Sequence, residues 1–579
     1  MPEITPSHIG SLQLLADWVI SYHPIENNKS DAYQYIINLF SQIMTKPCNG
    51  LLGAIPSRRS LTIMLDPLIT SPGNVINYLL ELLEWTNTDS KQRSNIKKIT
   101  KTEQWPPRKP KHWEIPVVYG GHHGPDLETI AKKFGISISA LIKLHTSKKY
   151  KVGMIGFAPG FAYLEGLHPL LSIPRRDAPR QKVPAGSVAV AEGFTAIYPF
   201  STAGGWHILG WTPIHVCQWD KPFPFLFIQG DTVSFYPLPY DEASKIQSIN
   251  KQKNINRYSS YSGEQVLEVI DGGLLSTIQG QGRLWYQHMG VPMSGPMDRF
   301  SALIANLLAN NAPGSSVLEF THPSPMFKVL TPVTIGISGD ALGALVNGKL
   351  LGSWQRISLN KGDRLAFQKS GAGNWCYLDI TGSISVPSQL KSSSTYIPAE
   401  LGGVNGHALV IHDCLLRMTN KKVNPANLEL PPSLLPRATK KLIISALPGP
   451  EIENFSKDEA DAFWKQSWSL TPRFDRAGYC FTGEGFSNIS RQIEPDGTFP
   501  GVIQVPGNGK PMLIFWDGPV TGGYPRIAVV SYADLDRAAQ LSTGQEFTFQ
   551  KISVAEAMSL TKQRQKDISR IVSYVKQMP

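Results

Sequence analysis

The densest set of anion-binding side chains lies between Gly153 and Pro213, where Arg175, Arg176, Arg180 and Lys182 fall close together. Prolines at 174, 179 and 184 hold this knot extended, because proline fixes its own φ and disfavours helix in the residue before it. Guanidinium forks beside glycine-rich backbone make a cradle for a carboxylate or phosphate; the same residues also describe solvated turns between strands. Further along, Ser294 and Asp298 stand one turn apart at a helix start, where Asp298 is either an acid/base or metal carboxylate or a simple complement to the helix dipole. Glu319 ends an apolar strand and is either a buried carboxylate with a raised pKa or a paired charge. Arg476, Gln504, Asp517, Thr521 and Tyr524 fall in polar loops, and Gly522 and Gly523 make the Gly-Gly-Tyr turn either an anion seat or a hairpin.

The elements that must position these residues are mostly short strands. The segment from Gly153 to Pro213 is too interrupted by glycine and proline for a long helix. Residues 1–92 read as a small α+β unit: DAYQYIINLFSQIM and VINYLLELLEW carry helical spacing around the strand SLTIMLD. A lysine-rich passage with Pro-Pro separates this unit from a domain over 113–239, in which Asp126 is expected to cap a helix and Gly135 to end it. Residues 240–262 have few apolar side chains and read as a flexible linker joining two halves. The second half divides into 263–423 and 438–562 around a proline-containing joint, and 563–579 reads as a basic helix or frayed tail.

The chain has 579 residues, which exceeds one core of about 250–300 residues and implies several domains. Its 41% hydrophobic and 9% aromatic content suits large globular cores. The net charge of +11 is scattered and accompanies no nucleic-acid motif, so a small acidic substrate or partner is expected rather than DNA or RNA. Five widely separated cysteines point to reduced thiols in a cytoplasmic protein. Neither a signal peptide nor an apolar run of about 18 residues occurs, which argues against a membrane location. Adjacent His122 and His123 have no third ligand at useful spacing. There is no Gly-Lys-Ser/Thr loop, dinucleotide fingerprint or biotin-type Met-Lys-Met.

The order of motifs resembles a known family. GFAPGFAYLEGL, PRRDAPRQKVPAGSVAVA, TAIYP and AGGW resemble allophanate-hydrolase subunit 1 proteins, which include the Kip-type kinase inhibitor and the B component of 5-oxoprolinase. LSTIQ, GVPMSGPMD, ANLLANN, VLEFT, ISGDALGALVNG, FDRAGY, FPGVIQVPGNGKP and DGPVTGGYPRIAVVS resemble the subunit 2 family: the Kip antagonist, the C component of 5-oxoprolinase and the carboxyltransferase domain of urea carboxylase. The resemblance implies a mainly β protein with α+β character, a small N-terminal α+β domain being followed by cyclophilin-like β-barrel domains in both fused halves. It implies the fused B/C component of an ATP-dependent 5-oxoprolinase that activates 5-oxoproline for ring opening to glutamate with a LamB/YcsF-type partner, the enzyme's A component. ATP and Mg²⁺ are the cofactors it implies, with Asp298 or Glu319 positioning the metal. Ser294 and Asp517 join those two as catalytic candidates. Ser187, Tyr198, Ser201, Gly204 and Gly205 would add donors beside the arginines, and Trp206 a ring to stack on. A biotin-dependent carboxyltransferase and a non-catalytic Kip-type regulator of a histidine kinase are the rival expectations. A homo-oligomer is one further expectation, with the domains meeting either within one chain or across a dimer.

Departures from the pattern are as informative. Trp211, Ser393, His407, Cys480 and Gly518 stand where the resemblance leads one to expect arginine, Gly280 where it leads one to expect aspartate, and Phe194 glutamine. Losing a guanidinium from an oxyanion clamp costs about 1.5–3 kcal/mol per charged hydrogen bond, so an altered substrate or lost activity is a real alternative.

Overall fold

The computed structural model describes residues 3–4, 10–25, 29–85, 108–176, 180–219, 221, 223–254, 262–419, 427–435, 442–486 and 493–578. Most of the lysine-rich passage, and part of the joint between the two modules of the second half, lie outside these residues.

The N-terminal unit is an antiparallel sheet in the order 3–4, 10–16, 19–24, 61–65, 51–56. Two helices cover it, α1 (Lys29–Thr45) and α2 (Pro72–Trp85). Ile36, Leu39, Phe40 and Ile43 recur at three- and four-residue spacing on α1, and all four are buried. The sheet's other partner is distant in sequence: Trp18 packs on Phe499, Trp516 and Tyr532, so this unit and the last module share one core.

The first half contains a closed barrel in the strand order 187–191, 194–197, 162–165, 150–155, 232–237, 112–119, 207–211. Its first strand, His112–Tyr119, runs parallel to its last, Thr232–Pro237. Two helices follow the first strand, α3 (Leu127–Lys133) and α4 (Ile138–Thr146). Gly135, at φ +62°, terminates α3 as expected. Asp126 precedes α3 but gives no side-chain cap, because its carboxylate is turned to the barrel's arginines and to the Ile208 N–H. The passage read as a flexible linker instead begins with α5 (Tyr240–Asn254), with Asp241 and Glu242 in its first turn.

In place of the barrel expected over 263–423, residues 264–417 form two open sheets, of seven and six strands, the latter completed by Leu428–Glu429. Helix α6 (Arg299–Leu308) lies so close against the six-stranded sheet that a Cβ on Gly336 would run into the Ala305 carbonyl. The two sheets share a core that includes Leu267 and Phe327 from one and Leu318 and Ile335 from the other, and α6 packs closely on the six-stranded sheet as well.

The last module is a second closed barrel, ordered 442–448, 526–530, 502–504, 512–514, 478–482, 468–474, 546–551. It closes like the first, its opening strand running parallel to its final one. The barrel also carries α7 (Lys457–Lys465) and α8 (Tyr532–Ala539). The segment read as a basic helix or frayed tail forms the later part of α9 (Val554–Gln577), capped by Ser553 and Glu556. Helix α9 crosses back to the N-terminal unit: Thr561 donates to Asp17 at 2.7 Å, and Gln565 to the Leu68 carbonyl at 3.2 Å. No described helix is long and apolar enough to cross a membrane.

Candidate active site

The predicted residues gather in three places. The first is the rim of the first barrel, where strands Arg180–Val183 and Thr202–Gly204 pair and bring the arginine segment onto the Gly-Gly loop. Arg176 and Arg180 both donate to Asp126, at 3.2 and 2.7 Å, and the Arg176 backbone N–H donates to the Gly205 carbonyl at 2.8 Å. Burial would raise the Asp126 carboxyl, but the hydrogen bonds and charges of these arginines hold it below the usual carboxylate range. Nε of Arg176 and Nη1 of Arg180 have no partner among the described residues. Lys182 and Ser201 are exposed, and Ser187 is buried opposite Trp211. Tyr198 is buried so close to Gly204 that a Cβ there would run into its hydroxyl. Trp206 packs on Phe161 and Tyr163 in an apolar cluster, so its ring serves the core and not a ligand stack.

The second place is the junction of the two barrels. Arg175 is held by Glu192, with Nε and Nη2 at 3.0 and 2.9 Å from Oε2, and its guanidinium lies 6.0 Å from the Tyr524 ring. A Cβ on Gly523 would be 3.1 Å from the same guanidinium. Thr521 Oγ1 accepts the Phe157 N–H at 2.7 Å, and the Tyr163 hydroxyl is 3.4 Å away. Phe157 takes φ +63°, a left-handed conformation strained for a phenylalanine, and begins the Phe-Ala-Pro-Gly turn. Gln504, 2% exposed, turns its Nε2 towards Gly522 without a partner among the described residues.

The third place is a closed ionic network in the second half. Arg476 donates to Glu319, to Asp517 at 2.8 Å and to the Gly295 carbonyl at 2.7 Å. The other Glu319 oxygen accepts the Met297 N–H at 2.6 Å and the Tyr377 hydroxyl at 2.8 Å. Burial pushes the Glu319 carboxyl up despite the opposing Arg476 charge, while the charges of Asp517 and Glu319 raise Arg476 against its own burial. Asp298 caps α6 through the Ser301 N–H at 2.8 Å, and its second oxygen accepts from Ser301 and Gln540. Burial first, and the Asp536 charge second, push its carboxyl up to about 7. Ser294 sits at φ +53° with a buried hydroxyl lacking a partner among the described residues. Among those residues no group of three histidine, cysteine or acidic side chains is gathered to hold a metal ion.

Arg283 carries no signal strong enough to single it out from sequence. It is 0% exposed, donates to the Ser394 carbonyl, and has no partner for Nε or Nη1 among the described residues. Burial pushes it down to about 9, against the favourable Asp517 charge. The Gly-Gln-Gly-Arg string is the one available hint: glycines directly ahead of an arginine and an apolar run.

The departures from the family pattern have structural counterparts. A Cβ on Gly280 would run into Ser393 Oγ, so two of the departing positions touch. At Gly518 a side chain would run into Ile514 Cγ2 and meet the Ala477 carbonyl at 2.8 Å. Trp211 donates to the Ala185 carbonyl at 3.0 Å and stacks on His123, which stacks in turn on Tyr240.

Comparison with known proteins finds two matched regions. The carboxyltransferase domain, subdomains C and D, matches residues 12–227, and subdomains A and B match 289–551. The C component of Escherichia coli 5-oxoprolinase is 31% identical over 306 residues, covering 96% of that protein and 52% of this chain. The chain belongs to the carboxyltransferase-domain family. Within this family, the B component of Bacillus subtilis 5-oxoprolinase is 46% identical over 122 residues; the chain spans 51% of that protein. The crystal structure of TTHA0988 superposes with a TM-score of 0.76 at 28% identity, covering 92% of this chain and 99% of that one. The family's two parts thus occur here in one polypeptide, and the Arg175–Tyr524 junction is one of the places where they meet, beside the shared core around Trp18.

Proposed function

We propose that this chain is the fused B/C component of an ATP-dependent 5-oxoprolinase, acting with a LamB/YcsF-type partner. The observation that carries this reading is the junction itself, where Arg175 and the Phe157 turn from the first half meet the Thr521–Tyr524 loop from the second. Arg175 supplies a guanidinium for a substrate carboxylate, and Gln504 an amide donor for a carbonyl oxygen. Lys182 and the unpartnered nitrogens of Arg176 and Arg180 are cationic donors suited to the phosphates of ATP. When bound, ATP would supply the phosphoryl group that makes an unreactive lactam carbonyl electrophilic.

Asp298 and Glu319 do not fit the expected Mg²⁺ role. All four of their carboxylate oxygens are engaged by the chain's own donors. The contribution of Glu319 is to hold Arg476, and through it Asp517, beside Gly295; that of Asp298 is to start α6. In this reading, water attack on the activated ring falls to the partner.

The carboxyltransferase description of both matched regions favours one alternative, a carboxyl-transfer component of a urea carboxylase-like system. The deciding experiment is ATP hydrolysis by the purified chain with Mg²⁺, with and without 5-oxoproline, alone and with the LamB/YcsF-type protein. ADP release dependent on 5-oxoproline, with glutamate formed once the partner is added, is the expected result, and Arg175→Ala should abolish it. Absence of turnover under every condition, or full activity of Arg175→Ala, overturns the reading and shifts weight to carboxyl transfer or a binding role.

A further inference from the structure

The turn Ser57–Ser60 belongs to the N-terminal unit, yet its side chains reach the second barrel. Ser57 and Ser60 donate to one oxygen of Asp496, at 2.7 and 2.6 Å, and Arg526 donates to the other at 2.9 Å. Asp496 is buried, and burial alone would raise its carboxyl; the Arg526 charge and the two serine hydroxyls instead draw it down to about 2. Between these serines, Arg58 lies 3.5 Å from Glu165 of the first barrel and 3.3 Å from Glu494 of the second.

Asp496 is tied by its backbone to the loop at the junction. Residues 496–497 pair with 521–522 in a two-residue ladder, Asp496 opposite Gly522 and Gly497 opposite Thr521. A Cβ on Gly497 would meet Thr62 Oγ1 at 2.5 Å, so the N-terminal sheet lies flush against that ladder. Thr521 then holds the Phe157 N–H, and with it the left-handed turn of the first barrel. A continuous run of contacts therefore leads from two hydroxyls in the N-terminal unit to a strained residue in a different domain, which neither hydroxyl touches.

We propose that Ser57 and Ser60 are positioning residues: by fixing Asp496 they set the Thr521–Tyr524 loop against the Phe157 turn, so the N-terminal unit holds the junction between the barrels in register. Removing both hydroxyls strips the hydrogen bonds from a buried carboxylate oxygen, and the ladder carrying Thr521 loses this tie to the N-terminal unit, with Arg526 left on Asp496. The effect of this positioning on turnover rests on the oxoprolinase reading; the positioning itself does not.

The test is hydrogen exchange on the full chain, comparing wild type, Ser57→Ala/Ser60→Ala and the hydroxyl-preserving Ser57→Thr/Ser60→Thr. The expected result is several-fold faster exchange at Phe157 and over 493–498 in the alanine variant. Protection in the barrel strand Ser187–Ala191 should stay unchanged, and the threonine variant should restore the wild-type pattern. If the double variant does not fold, Ser57→Ala alone carries the test. Unchanged exchange at Phe157, or an even loss of protection across all domains, overturns the proposal. With 5-oxoproline turnover measured in parallel, altered exchange with intact turnover leaves the positioning standing and shows that it does not govern the reaction, whereas altered exchange in a chain whose wild type turns over no 5-oxoproline leaves the positioning standing and counts against the functional reading.

Discussion

Trp18 of the N-terminal sheet stands 6.4 Å from Trp516 of the second barrel, both side chains almost wholly buried. The contact joins two elements that lie at opposite ends of the chain, so the N-terminal unit is an integral part of the last module's core and not an appendage. Trp18→Ala is expected to cost about 3–5 kcal/mol. It should lower the unfolding midpoint of the second barrel together with that of the N-terminal unit. Urea unfolding followed by tryptophan fluorescence and by far-ultraviolet circular dichroism checks this: two separated transitions in wild type would contradict a shared core.

Asp298 gives stability a pH dependence of definite sign. A carboxyl raised from 3.8 to about 7 keeps its proton in the folded chain after the unfolded chain has lost it. Folding is therefore penalised increasingly as pH rises from about 4 to 7, and the penalty is complete above that. Asparagine caps a helix as well as aspartate does, so Asp298→Asn should gain on wild type by on the order of 1–3 kcal/mol between pH 4 and 8. Denaturation midpoints of the two proteins across that range are the measurement, and parallel curves would reject the assignment.

Glu319 and Arg476 are both buried and bound to each other. Removing one partner strands the other charge, so Arg476→Met should destabilise by about 3–5 kcal/mol. Adding Glu319→Gln should recover part of that loss, because the stranded carboxylate is then neutral. A double-mutant cycle by chemical denaturation reads the coupling; additive losses would show that the pair is energetically independent.

Gly518 and Trp211 separate two kinds of departure from the family pattern. At Gly518 the Ala477 carbonyl and Ile514 fill the space, so Gly518→Arg should cost about 1–3 kcal/mol or more through overpacking. Trp211 is half-exposed at the barrel rim, and Trp211→Arg should fold with a loss below about 1 kcal/mol. Thermal unfolding of the two variants tests the contrast.

What can be read from the sequence is local. The apolar spacing of α1 and α2, the glycine that ends α3 and the helix start at Asp298 are set by neighbours within a few residues, and the structure has them. The closure of each barrel is not legible, because it depends on parallel pairs such as His112 with Thr232 that share no turn signal. Polar groups near glycine-rich turns stand out in the sequence, but their partners do not. Arg476 and Glu319 are 157 positions apart, and Ser57 and Asp496 are 439 apart. Asp126 shows the limit from the other side: its position before a helix suggests a cap, and two arginines some fifty residues downstream compete for it and win.

The bond from Thr561 to Asp17 has a bearing on how the chain is made. Asp17 is buried, and Thr561 lies within the final helix. During synthesis the first sheet leaves the ribosome more than five hundred residues ahead of the hydroxyl that satisfies it. Until α9 emerges, that carboxylate lacks this hydroxyl, and until Phe499, Trp516 and Tyr532 emerge the face around Trp18 stays uncovered. The N-terminal sheet is thus among the last of the described elements to reach its native state.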